Sequence, residues 1–160
     1  MLTVPEQAAR MTWFAMEGIF EAAWHIPKEK RLWSPMADAR SAHSQLVECA
    51  AAPILHLPLI EGDTNAYVAE NFARYQAATQ ALQEQSWDEI RDYAREKHTL
   101  LVAAIRSVPN QKLEEVRMLP FNGGMQVTGA DVLFLPYWNI VYHTGQINYI
   151  QTMLGDKEMH

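Results

Sequence analysis

The chain has 160 residues, 49% of them hydrophobic and 20% charged, with a formal net charge of -6. This is enough apolar material to bury a core, so one domain over residues 1–160 is expected; the acidic balance speaks against a nucleic-acid partner, whose phosphates call for clustered Lys and Arg. The single cysteine, Cys49, excludes an intrachain disulfide and a cysteine-based zinc finger, and it suits a reducing cytoplasm. Met1–Glu6 lacks the basic start of a secretory signal, and no stretch approaches the roughly 20 apolar residues of a membrane span, so no membrane partner is expected.

Thr3-Val4-Pro5-Glu6 has the form of a capping box with proline in the first turn. The helix it opens is predicted to run to about His25 on an apolar face that includes Met11, Phe14, Ile19 and Ala22. A second helix is predicted from Ala37 or Asp38, after Ser34-Pro35. With Ala39 as reference and about 100° per residue, Ala42, His43, Leu46, Cys49 and Ala50 face inward and Ser44, Glu48 and Ala51 outward. Pro53 ends or kinks this helix, and His56–Asp63 reads as a loop broken by Pro58 and Gly62.

Residues 65–85 are predicted to be largely helical. Ser86-Trp87-Asp88-Glu89 is a second capping box, opening a helix whose apolar face includes Ile90, Ala94, Leu101 and Ile105 and which Pro109-Asn110 closes. Lys112–Thr128 reads as an irregular excursion or a short hairpin with its turn at Asn122-Gly123-Gly124. The last helix opens at Thr128-Gly129-Ala130-Asp131 and stops at Gly155, with Pro136 either kinking it or marking its regular start. The expected fold is all-α, an antiparallel four-helix bundle with a short excursion before the last helix.

Chemistry concentrates on that last helix. Asn139, His143 and Gln146 are spaced i, i+4, i+7 and share a face, flanked by Tyr142 and Tyr149. Turned into a bundle, such a face needs hydrogen-bond partners, a ligand or a metal; turned outward, it is a solvated stripe. Cys49 reads either as a site thiol or as a small buried hydrophobe, and His43 either as a site residue or as a hydrogen-bonded core histidine. His56 and His98 look isolated. Asp88, Glu89, Asp92 and Glu96 read as a solvated face shared with Arg91, Arg95 and Lys97. No phosphate loop, serine elbow or paired-cysteine motif is present.

The block Ala39-Arg-Ser-Ala-His-Ser-Gln-Leu-Val-Glu-Cys-Ala50, together with His143-Thr-Gly-Gln-Ile-Asn-Tyr-Ile150, resembles the DinB/YfiT-like superfamily, and the order of helices matches over nearly the whole chain. The resemblance implies a four-helix bundle, commonly homodimeric. It also implies a divalent metal such as zinc or nickel, held by one histidine of the second principal helix and an HxxxH pair on the last. Some such proteins are thiol-dependent transferases or isomerases. Here His143 matches the second histidine of the pair, Asn139 replaces the first, and Cys49 is the best helix-two equivalent by register, with Glu48 one step away. The implied ligand set is therefore His143 with Cys49 or Glu48, in a pocket lined by Asn139, Tyr142, Gln146, Cys49 and His43. Three functions follow as expectations: an enzyme in which His143 is a metal ligand or a general base; a non-catalytic stress-response or ligand-binding module that has lost the metal ligands; or a structural homodimer with a vestigial site, meeting at Trp33 or Trp138.

Overall fold

The computed structural model describes residues 2–63, 67–121, 123–158 and 160. Thr3 caps α1 (Val4–Trp24) by accepting the Glu6 amide, and Pro5 occupies the first turn. Only half of the expected capping box is used to start the helix, because the Glu6 carboxylate pairs with Arg106 at 3.0 Å. A turn of 3-10 helix at Lys28–Lys30 leads to α2 (Ala42–Ala51). This helix starts later than the sequence suggests. Ser41 is its cap, accepting the Ser44 amide, while the Ser34 hydroxyl ties up the preceding loop by donating to the Met36 and Ala39 carbonyls.

The segment read as a loop from His56 is helical. Pro53 sits at the first position of α3 (Pro53–Glu61), where its missing N–H costs nothing, and Pro58 is carried inside. Gly62, at φ 102°, provides the left-handed stop. α4 (Ala69–Gln83) follows; the predicted start at residue 65 lies outside the described residues, as does Asn122 of the turn. Ser86 and Glu89 form the full capping box of α5 (Trp87–Ser107). The excursion is a hairpin, β1 (Val116–Leu119) antiparallel to β2 (Met125–Thr128), with Val116 opposite Thr128 and Leu119 opposite Met125. Thr128 and Asp131 make the second full capping box, opening α6 (Gly129–Met153), which runs unbroken through Pro136.

Two apolar clusters form the interior. One joins Met16, Ile19 and Phe20 of α1 with Leu46, Cys49 and Ala50 of α2, Trp87 and Ile90 of α5, and Ile140, Ile147 and Ile150 of α6. The other joins Ala8 and Ala9 with Leu59, Ile60, Leu101, Ile105, Val132 and Leu133. Ala8 and Ala9 thus share a level with Val132 and Leu133, and Gln151 donates to the Ala22 carbonyl at the other end. α1 and α6 therefore run in the same direction, with α2–α3 and α5 opposed to them. The expected four-helix bundle is present, and within it α4 is the return crossover that lets α3 and α5 run parallel. Arg91 and Arg95 of α5 bond to Glu17 of α1, and Arg91 reaches Glu21 as well, so these cations staple two helices rather than neutralise their own carboxylates. Among the described residues, no helix is long and apolar enough to cross a membrane.

Candidate functional site

α2 packs against α4, α5 and α6. It is therefore buried on more than one side, and a single inward direction does not describe it. Gln45 and Glu48, three residues apart, share the face that meets α6. There His143, 2% exposed, stands between them: its Nε2 lies 2.9 Å from Glu48 Oε1, and its Nδ1 lies 3.3 Å from Gln45 Oε1. The second Glu48 oxygen accepts from Arg40 Nη1, while Arg40 Nη2 donates to the Ser44 carbonyl at 3.1 Å. The register that turned Glu48 outward is thereby corrected. It allowed α2 one inward direction, whereas α6 packs on the side that reading left to solvent.

Electrostatics follow from this geometry. Burial pushes the Glu48 carboxyl up, but the hydrogen bond and charge of His143, with Arg40 behind, outweigh it and hold the group down at about 2. Glu48 is thus a fixed anion whose ordinary partner is a proton on His143 Nε2. With that proton in place, Nδ1 carries the ring's lone pair. Gln45 suits either state, since its amide can present oxygen to an N–H or turn its NH2 to a lone pair. Tyr75 of α4 completes the surroundings: burial first, then the Glu48 charge, push its phenol up to about 12. Arg40, Gln45 and Tyr75 were not among the residues singled out from the sequence. The i, i+3 spacing puts Gln45 and Glu48 on one face, but nothing local says that this face meets α6.

The other expected residues separate. Cys49 is 2% exposed in the apolar cluster with Leu46 and Ala50, and burial, then the Glu48 charge, raise its thiol. It belongs to the core and does not face His143. His43 is also buried, on another side of α2: its Nδ1 accepts the Trp87 indole N–H at 3.0 Å, and its Nε2 donates to the Gln83 carbonyl at 3.0 Å. Both nitrogens are used in tying α2 to the α4–α5 junction. Arg31 lies over the Trp87 ring at 3.9 Å. His98 is buried as well, and His56 partly so. Burial lowers both to about 4, with His98 adding to the effect on His56.

Outside Gln45 and Arg40 opens a hollow of about 350 Å³, walled by Tyr142, Gly145, Gln146, Tyr149 and Met153. A larger hollow of about 620 Å³ lies at the opposite end, between α3, α5 and the hairpin, and contains none of these groups. The polar stripe of α6 therefore divides. His143 points inward and Gln146 lines the hollow. Asn139 is partly exposed, but its Oδ1 is buried without a protein partner.

These donors do not fit the transition metal that the resemblance implies. Two ligands on one tetrahedral zinc, each at about 2.1 Å, stand roughly 3.4 Å apart. Glu48 Oε1 and His143 Nε2 are 2.9 Å apart, a hydrogen-bond distance. The remaining Glu48 oxygen holds a guanidinium, and the Asn139 amide is a poor ligand for zinc or nickel. Among the described residues, no group of three His, Cys, Asp or Glu side chains is placed to hold a metal.

A sequence model of the DinB family matches residues 1–160. The fold is similar to that of a DinB-like protein from Bacillus subtilis, YjoA, at 19% identity and a TM-score of 0.64, covering 96% of each chain. It is also similar to a mycothiol-dependent maleylpyruvate isomerase, at 10% identity and a TM-score of 0.65, and to a single-site mutant of that enzyme, at 12% and 0.67. In both comparisons 92% of this chain is aligned, and it spans 63% of the isomerase's length. No curated protein sequence matches.

Proposed function

The chain belongs to the DinB family, and on that footing we propose that it is a thiol-dependent transferase or isomerase acting by acid–base chemistry at His143. The observation that carries the reading is the buried His143 ring with Nε2 on a carboxylate that the ring itself, with Arg40 behind, holds ionised. A carboxylate behind an imidazole fixes the ring's tautomer and stabilises the imidazolium that forms when the opposite nitrogen takes a proton. In the proposed step, Nδ1 accepts the S–H proton of a low-molecular-weight thiol, and the thiolate adds to an electrophilic carbon of the second substrate. The proton is then returned to the adduct, so the ring ends as it began. The substrates would enter through the hollow between Tyr142 and Tyr149. The thiol half of the reading is supported by the fold's likeness to a mycothiol-dependent isomerase. It requires no metal.

The test is a spectrophotometric assay of thiol consumption with glutathione, cysteine and mycothiol against a panel of small electrophiles. His143→Ala is expected to lower the rate by about a hundredfold or more. Equal rates in the variant and the unaltered protein would remove the reading. A non-catalytic ligand-binding module would instead bind a thiol without turnover.

We also propose a homodimer formed through α6. From Val132 to Met153 this helix carries no Asp, Glu, Lys or Arg, yet Trp138 is 73% exposed and Tyr142 and Tyr149 are each 66% exposed. Trp138 and Val141, both exposed, lie on this face clear of the substrate hollow. In an acidic chain, an uncharged face is where two copies meet with least repulsion. Trp33, the other tryptophan considered for an interface, packs against the core. Sedimentation at micromolar concentration is expected to give a dimer that Trp138→Lys dissociates; a monomer would exclude it.

A further inference from the structure

We infer that in this chain a proton and the Arg40 guanidinium do the electrostatic work for which the resembling family uses a divalent cation. The inference is separate from the thiol chemistry proposed above and stands or falls without it.

Three observations carry it. First, the two best donors of the site are bonded to each other: His143 Nε2 and Glu48 Oε1 share a proton at 2.9 Å. A metal would have to displace that proton and spread the pair. Second, the other oxygen of Glu48 is taken by Arg40, whose fixed charge opposes a dication at the same carboxylate. A metal ligand is ordinarily held by neutral or anionic neighbours that raise its basicity; a guanidinium does the reverse. Third, Asn139, one turn before His143 on α6, offers only a neutral amide oxygen, buried and without a protein partner. Arg40, Glu48 and His143 form a closed ionic row, cation–anion–imidazole. The positive charge available to a developing anion is then on Arg40 and on the His143 ring once protonated, not on a Lewis acid.

The row also defines what would convert the site. Glu48→His together with Asn139→His would place imidazoles where the implied ligand set has them, beside the existing His143. The experiment is isothermal titration with ZnCl2, and separately with NiCl2, on the full chain. The unaltered protein is expected to show no stoichiometric binding tighter than about 10 μM, and the double variant to bind one zinc per chain at least about a hundredfold more tightly. One zinc per unaltered chain, lost in His143→Ala, would overturn the inference. So would a double variant that is folded by circular dichroism and binds zinc no better than the parent. If the double variant does not fold, Asn139→His alone and the unaltered chain carry the same test. The guanidinium half is read separately: Arg40→Gln added to Asn139→His is expected to tighten zinc binding by about tenfold or more, and an affinity indifferent to Arg40 would refute that half.

Discussion

Replacing Glu48 by Gln keeps the shape of the site and a hydrogen-bond acceptor for His143 but removes the anion between His143 and Arg40. Lowering the carboxyl from its ordinary 4.5 to about 2 corresponds to ~3 kcal/mol at face value. The side chain is 25% exposed and Arg40 is 41% exposed, so solvent screening reduces the expected contribution to ~1–2 kcal/mol. Because the folded-state pKa is depressed, this stability is fully present above the ordinary carboxylate range and is lost as pH falls toward 2. Urea unfolding of the two proteins should therefore show the variant weaker by ~1–2 kcal/mol near neutral pH, with the gap reduced to about half or less by about pH 3. Equal stabilities near neutrality, or a gap that does not change with pH, would refute the ionic row.

Trp87→Phe removes the indole N–H that bonds to buried His43 and should cost ~1–3 kcal/mol in urea unfolding; a loss within a few tenths would mean the bond contributes nothing. Cys49, 2% exposed with its thiol raised by burial, should react with iodoacetamide only as fast as the protein opens, and rapid labelling of the native chain would contradict its place in the core. The two glycine positions Gly129 and Gly18 should respond oppositely to alanine. At Gly129 a Cβ would stand 1.9 Å from the Lys112 carbonyl oxygen, so the thermal midpoint should fall with a loss of ~2 kcal/mol or more. At Gly18, on the exposed side of α1 with nothing within 4 Å of a Cβ, alanine should gain ~0.5–1 kcal/mol of helix stability.

The helix ends were legible wherever a polar cap stands directly before its helix, as at Thr3, Ser86 and Thr128. They were misread where two candidate starts compete. Ser34-Pro35 suggested an early start for α2, but the Ser34 hydroxyl closes the loop on itself and Ser41 does the capping. The roles of Glu48 and Cys49 were misread for another reason: α2 is covered on more than one side, and the side carrying Glu48 meets α6. Pro53 and Pro58 misled in the opposite sense: each breaks a pattern on paper, yet one starts α3 and the other is tolerated within it. His143 was legible because it stands in a stretch, Val132 to Met153, with no Asp, Glu, Lys or Arg, where a histidine must find a partner. Arg40, Gln45 and Tyr75 were not, since their roles depend on three helices meeting, which no local spacing encodes.

The central claim is a proton, and not a metal, between His143 and Glu48. Nitrogen-15 NMR of the histidine side chains in the unaltered protein tests it directly. The His143 ring is expected to carry its proton on Nε2, to lose that preference in Glu48→Gln, and to leave its signal unchanged under excess zinc. A His143 ring protonated on Nδ1, with its Nε2 resonance shifted by stoichiometric zinc, would contradict it.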